Sequence, residues 1–399
     1  MINYELQIAN YNKRMLSTWA FPTKIIFGAG SIAQAADITR DLGIKRPLIV
    51  TDPGIVKCGL VERLAGPLKK AGLEWSVFDR VEGNPTEASV LPGVEVYRRE
   101  SSDGVIAMGG GSAIDAGKAI RLKATHALPL EDYDDLKNGG DKISADLPPM
   151  IAVATTSGTG SEVGRSAVIA LKATGRKTVI FSPYLMPSVA IGDPELTLEL
   201  PPHITATTGM DAMTHNLEAY LSKGFHPFCD AIAIKGVEIV NEHLRTAVHD
   251  GKNLEARTQM MIASMMGAVA FQKGLGTVHS LAHPLSTVAG LHHGLTNGIL
   301  LPYVMRFNLP VVRDRLADLA GALGVDTRSL SPDQAASAAI TAIEKLNADI
   351  GIPARLSAVG VTPEMIPKMI PKAMEDGCHL LNPRPTTAQD MEMLYREAL

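Results

Sequence analysis

Between residues 24 and 108, short β-branched runs alternate with longer amphipathic ones. The runs 24–27, 47–51, 74–78 and 103–108 predict strands. The stretches near 31–42, 55–72, 86–100 and 112–124 carry helical spacing. Such alternation predicts a parallel sheet covered on both faces, with ligands at the carboxyl ends of its strands. A further apolar strand is expected at 150–154, and more strand-like runs between 166 and 191 are separated by a turn at 174–177. The polar, acidic stretch 130–149 reads as a solvated excursion whose carboxylate spacing does not fit a calcium loop. Beyond Pro201-Pro202 the pattern becomes helical: 204–223, 228–249, 253–273, a break, then 297–324, 331–350, 362–375 and 386–397. The expectation is an α/β domain over 1–200 followed by an all-helical domain over 201–399, with any reaction placed in the cleft between them.

Three glycine-bearing turns compete for a phosphate. The segment 28–33, GAGSIA, superficially matches a dinucleotide fingerprint, or is only a tight turn. The segment 109–112, GGGS, follows the strand VIAM and opens a helix with Asp115 in its first turn. Glycines admit a pyrophosphate to the backbone, and a helix start offers unpaired N–H groups and a favourable dipole. The third turn, TTSGTGSE at 155–162, presents hydroxyls after a buried strand but lacks the Lys-Ser/Thr pair of a P-loop. Asp52 ends the second strand, where a carboxylate can receive an adenosine ribose and repel a 2′-phosphate, favouring NAD over NADP. It can equally cap the helix that follows. Asn84 lies in another loop after a strand and either reaches the cofactor or merely starts a helix.

Four of the eleven histidines fall within fifteen residues, His279 to His293. His279 and His283 are spaced i,i+4, as are Asp211 and His215 in GMDAMTHNLEAYL, so each pair shares a helix face. Pro284 and Gly290 then require the chain to turn before His293. Three imidazoles and a carboxylate suit Fe(II) or Zn(II) with room for a substrate oxygen, against the plainer reading of hydrogen-bonded core histidines.

Composition narrows the classes. A net charge of −4 with 20% charged residues, and no basic run, points to neither a nucleic-acid nor an anionic-membrane surface. The longest apolar run, 260–271, is too short to cross a bilayer. Residues 1–14 carry charges and amides where a secretory leader needs an apolar core, so a cytoplasmic protein is expected. Cys58, Cys229 and Cys378 lack any CxxC spacing, against a disulfide framework or a thiolate zinc site.

Together GGGSAIDAGKA, TTSGTGSE, GDPELT, GMDAMTHNLEAY, GLGTVHSLAHPL and HHGLTNGILLPY give the chain its likeness. Over nearly its whole length it resembles the iron-containing, group III alcohol dehydrogenases. The resemblance implies a Rossmann-like amino-terminal domain with a parallel sheet and an all-helical carboxyl-terminal domain, the architecture shared with dehydroquinate synthase. It also implies a nicotinamide cofactor, NAD, and a divalent ion, Fe(II) or Zn(II), on Asp211, His215, His279 and His293. His283 matches the histidine beside substrate and nicotinamide. Gly110, Gly111, Ser112, Thr155, Thr156, Thr159, Lys177 and Leu198 match cofactor contacts, joined by Asp52, Asn84 and Asp115. The likeness favours 109–112 over 28–33 as the pyrophosphate turn and implies a homodimer or larger homo-oligomer. Cys378 matches a position near the pocket, or is structural, and the place of Phe271 is open.

The expected reaction is reversible hydride transfer between a primary alcohol, hydroxy acid or diol and NAD, giving the aldehyde, with His283 relaying a proton. A lyase of the dehydroquinate synthase type has a glutamate where this chain has Asp211, and maleylacetate reductases lack the ligand set. A non-catalytic protein in which the ion staples two helices is the remaining alternative.

Overall fold

A computed structural model of the chain describes residues 19–171 and 176–399. Residues 1–14, and residues 174 and 175 of the predicted turn, lie outside the described residues. The strands are β1 (Lys24–Phe27), β2 (Pro47–Val50), β3 (Ser76–Phe78), β4 (Gly104–Gly109), β5 (Met150–Ala154), β6 (Ser166–Leu171), β7 (Arg176–Phe181) and β8 (Val189–Gly192). Five helices accompany them: α1 (Ala35–Asp41), α2 (Pro53–Lys57), α3 (Leu60–Lys70), α4 (Glu87–Arg99) and α5 (Gly111–Thr125). Eight follow: α6 (Pro202–Leu221), α7 (Pro227–His249), α8 (Leu254–Ala270), α9 (Thr277–Val288), α10 (His293–Ala322), α11 (Pro332–Asp349), α12 (Ile366–Glu375) and α13 (Ala388–Ala398).

Six strands form one parallel sheet in the order β1-β8-β5-β4-β2-β3. Every residue of β2, β4, β5 and β8 is buried, as strands covered on both faces must be. Their side chains divide by alternation. Leu48, Val50, Val105, Ala107 and Ala152 enter one apolar cluster, whereas Ile49, Ile106, Met108, Ile151 and Val153 enter another. β6 and β7 pair antiparallel as a separate two-stranded ribbon. The largest apolar cluster is built wholly from residues 206–398 of the helical part. A small one, Val163, Ala190, Met261, Met265 and Ala268, joins α8 to the sheet.

The sheet order decides where ligands can sit. β3 lies outside β2, and the chain then returns to the other side of β2 to form β4, so the connections diverge between β2 and β4. A crevice opens at such a switch point. Asp52 follows β2, the glycine turn ends β4 and Thr155 follows β5, so the three loops stand side by side.

Two expectations are corrected. The acidic stretch 130–149 is not a simple solvated excursion: its 3-10 turns bury Leu130, Tyr133, Asp134 and Ile143, and three of these join the core beneath the sheet. Those apolar side chains recur too sparsely to show a period. Pro284 makes no turn either. It lies inside α9, and the reversal falls at Gly290, whose φ of 68° is the left-handed conformation glycine tolerates.

Candidate metal and dinucleotide cleft

Helix α6 is buried from Thr205 to Leu221, so its polar side chains must find partners or a ligand. Asp211, His215 and Glu218 share one face at i, i+4 and i+7. α9 crosses nearby and supplies His279 and His283, and His293 stands at the start of α10. Ligand atoms of Asp211, His215 and His279 all lie within 4.8 Å of one another. The His215 and His279 rings stack at 4.8 Å. His293 sits at the rim of this trio, its Nε2 3.5 Å from Asp211 Oδ1.

Each group is held by a neighbour the sequence did not single out. His279 Nδ1 donates to Glu218 Oε2 at 2.6 Å, and Glu218 Oε1 also accepts from the Val278 N–H. Asn297 donates to Asp211 Oδ1 at 2.8 Å. His215 Nδ1 donates to the Gly158 carbonyl at 3.3 Å, tying the helical cluster to the TTSGTGSE loop. His283 Nδ1 lies 2.6 Å from Asp376 Oδ2. Spacing alone could have found Glu218, three residues after His215, and Asn297, four after His293. Asp376 left no such signal.

The set fits a divalent ion. His279 Nε2 and His293 Nδ1 are buried with no hydrogen-bond partner among the described residues. An orphaned buried nitrogen is costly unless a ligand takes its lone pair. Burial pushes His215 down to about 4, and burial together with the Lys177 charge holds His293 well below the usual range. Both rings are therefore neutral, as coordination requires. Burial also opposes charge on His279, but the hydrogen bond and charge of Glu218 outweigh it and raise its pKa.

The glycine turn faces the same space. Gly109 has φ 152°, and Gly110 is the N-cap of α5, so no side chain caps the helix. A Cβ on Gly111 would stand 2.6 Å from Thr159 Cγ2, so only glycine lets the two loops meet. Ser112 Oγ donates to the Gly83 carbonyl at 2.7 Å, fixing the loop that carries Asn84. The rival turn is already filled: Asp193 accepts from Gly30 and Ile32 N–H groups at 3.1 Å each. Asp52 does cap α2, accepting from Gly54 and Ile55, yet it also lines the cleft. The Thr155 hydroxyl is buried without a partner among the described residues.

One cleft of about 1160 Å³ is lined by Asp52, Asn84, Gly110, Gly111, Ser112, Asp115, Thr155, Thr156, Thr159 and Lys177, and equally by Asp211, His215, His279, His283 and His293. That exceeds the range of roughly 300–1,000 Å³ usual for one small ligand, leaving room for a dinucleotide and a substrate. Leu198 is not among the lining residues, although Leu196 and Leu200 are. Asp115 is there as a brace: it accepts from Ser161 Oγ and the Val168 N–H. Lys177 is pushed down to about 8 by burial. Phe271 packs on His215 with ring centroids 5.2 Å apart, and Cys378 lines the cleft as a thiol whose pKa burial drives well up.

Behind this wall Lys118, fully buried, donates to the Ser161 and Ser166 carbonyls, and Glu162 is buried with Oε1 unpartnered among the described residues. Burial raises Glu162 to about 7 from an ordinary 4.5. A carboxyl raised on folding contributes stability that is full below pH 4.5 and is lost as pH rises to about 7. Glu162→Gln should thus gain about 2 kcal/mol relative to the parent between pH 5 and pH 8, read from denaturant or thermal unfolding at both values. A pH-independent difference would show that Glu162 does not titrate in this range.

A parallel sheet with an open helix start at its switch point, facing an Asp/His cluster across a shared cleft, defines an enzyme that combines a dinucleotide with a metal ion. Comparison with known proteins gives the same class. Residues 22–194 match the family model described as iron-containing alcohol dehydrogenase, and residues 205–399 match that of the Fe-containing alcohol dehydrogenase family, C-terminal. The chain is 43% identical to a 4-hydroxybutyrate dehydrogenase of Cupriavidus necator, over 94% of its own length and 97% of the relative's. It is 37% identical to an NAD-dependent methanol dehydrogenase of Bacillus methanolicus, over 96% and 100%. The crystal structure of a 1,3-propanediol oxidoreductase superposes with a TM-score of 0.93 at 40% identity, covering 96% of this chain and 100% of that one. The chain belongs to the iron-containing alcohol dehydrogenase family. It is a metal-dependent alcohol dehydrogenase that uses NAD.

Proposed function

We propose that the enzyme interconverts a short primary alcohol bearing a second oxygen function, such as a diol or ω-hydroxy acid, with its aldehyde. The relatives named for 4-hydroxybutyrate and 1,3-propanediol support this substrate class. The observation that carries the reading is the shared cleft: the α5 amino terminus and the Asp211, His215, His279 trio line one space. When bound, the ion supplies a Lewis acid that stabilises negative charge on the alcohol oxygen, and NAD accepts the hydride. Asp211, His215, His279 and His293 would hold the ion, Fe(II) by family and Zn(II) by ligand type.

The open helix start at Gly110, Gly111 and Ser112 receives the pyrophosphate through backbone N–H groups. Asp52 takes the adenosine ribose, and Thr155, Thr156, Thr159 and Lys177 take the nicotinamide half. Asn84 and Leu198 are assigned to the same cofactor by the family likeness, with Asp115 bracing the glycine turn. Phe271, Leu275 and Leu381 supply apolar wall that sheds water around the carbinol carbon. His283 exchanges the hydroxyl proton.

We also place the division between a cofactor domain and a metal domain near Leu200, supported by separate apolar clusters on its two sides. Three free thiols support a reducing, cytoplasmic setting. A homodimer or larger homo-oligomer is carried over from the family likeness. No helix among the described residues is long and apolar enough to cross a membrane.

The test is a panel of diols, ω-hydroxy acids and simple alcohols offered with NAD and with NADP to protein of assayed metal content. Reduced-nicotinamide absorbance should grow fastest with NAD and a bifunctional alcohol. Faster turnover of ethanol or methanol would overturn the substrate class, and no absorbance change with any alcohol would overturn the assignment of the cleft.

A further inference from the structure

Two histidines on one helix face the cleft, and each has a carboxylate behind it. His279 and His283 are a turn apart on α9, their rings 6.0 Å apart. Glu218 holds Nδ1 of the first and Asp376 holds Nδ1 of the second, both at 2.6 Å. The pairing turns each remaining Nε2 away from its carboxylate. For His279 that nitrogen is buried and orphaned beside Asp211 and His215. His283, with a side chain 15% exposed, keeps contact with the open cleft.

Asp376 is set more firmly than a chance neighbour would be. Its Oδ1 accepts from Ser280 Oγ at 2.8 Å and from the Cys378 N–H at 2.9 Å, leaving Oδ2 for His283. Burial opposes its charge, but His283 and these hydrogen bonds hold its pKa well below the carboxylate range. An ionised carboxylate only accepts, so the proton it faces must stay on Nδ1. With Nδ1 holding its proton against Asp376, the nitrogen left to accept a proton is Nε2, on the far side of the ring.

The geometry points to Asp376 as a positioning residue for alcohol oxidation, locking His283 in the tautomer whose Nε2 accepts the substrate hydroxyl proton. This rests on the proposed role of His283. In the step, the O–H proton passes to Nε2 while the C–H bond delivers hydride, with both its electrons, to the nicotinamide. The C–O bond becomes C=O, and the imidazolium returns its proton to cleft water. Ser280 and Cys378 serve the same end by aiming Asp376.

Asp376→Asn keeps the shape but lets an amide N–H donate to Nδ1, moving the ring proton to Nε2. Expected is a fall in kcat of about 10- to 100-fold, with both KM values within about threefold and metal content unchanged. Placed on His283→Ala, the same substitution should cost less than about twofold more, because there is no ring left to orient. Nitrogen NMR of isotope-labelled histidine in zinc-loaded protein should show the Nδ1–H tautomer in the parent and Nε2–H in Asp376→Asn. An equal loss on the His283→Ala background, an unchanged tautomer, or full kcat would overturn the assignment. Should the parent itself oxidise no alcohol, the underlying reading fails instead, and the tautomer measurement still decides the positioning role.

Discussion

His279→Ala is expected to fold, to lose most of its bound metal and to turn over more slowly by more than about 100-fold. Outer-sphere partners of a metal typically cost about 10- to 100-fold when removed, and a direct ligand exceeds them. The side chain touches three functional neighbours at once. It lies within ligand distance of Asp211 and His215, stacks on His215 and donates the orienting bond to Glu218. Truncation therefore removes a donor and leaves the Glu218 carboxylate, 5% exposed, without its imidazole partner. An uncompensated buried carboxylate is itself destabilising, so melting temperature is to be measured alongside metal content. Wild-type metal content together with wild-type turnover would strike His279 from the ligand set.

Gly111→Ala is expected to weaken NAD binding by roughly 10- to 100-fold while leaving metal content untouched. A Cβ there falls 2.6 Å from Thr159 Cγ2 and 2.7 Å from its Oγ1. Overpacking of that kind costs about 1–3 kcal/mol, and each 1.4 kcal/mol is about a factor of ten in affinity. The strain lands on the two loops assigned to the cofactor, so it should appear in the dissociation constant for NAD more than in kcat. Cofactor titration by fluorescence, beside metal analysis, separates this outcome from general unfolding. Unchanged NAD affinity would move the pyrophosphate away from the α5 amino terminus.

Much of the site was legible because its parts are local. Asp211 with His215 and His279 with His283 are i,i+4 pairs, and helix geometry alone puts each pair on one face. The glycine turn at 109–112 announces itself by following an apolar strand and opening a helix. Its rival at 28–33 offers the same local signal. What separates them is Asp193, more than 160 residues away, whose carboxylate already fills the Gly30 and Ile32 N–H groups.

By itself the amino-acid sequence determined the elements, the parallel sheet, the helical second part and the residue types fit for a metal and a dinucleotide, since each follows from spacing within one segment. Tertiary structure alone decided which partner each group received. Glu218 meets His279 across 61 residues, Asp376 meets His283 across 93, and the stretch 130–149 is drawn into the core by Leu130, Tyr133 and Ile143. A hydrogen bond between distant segments leaves no period in the chain, because it depends on where the helices pack and not on which residues adjoin.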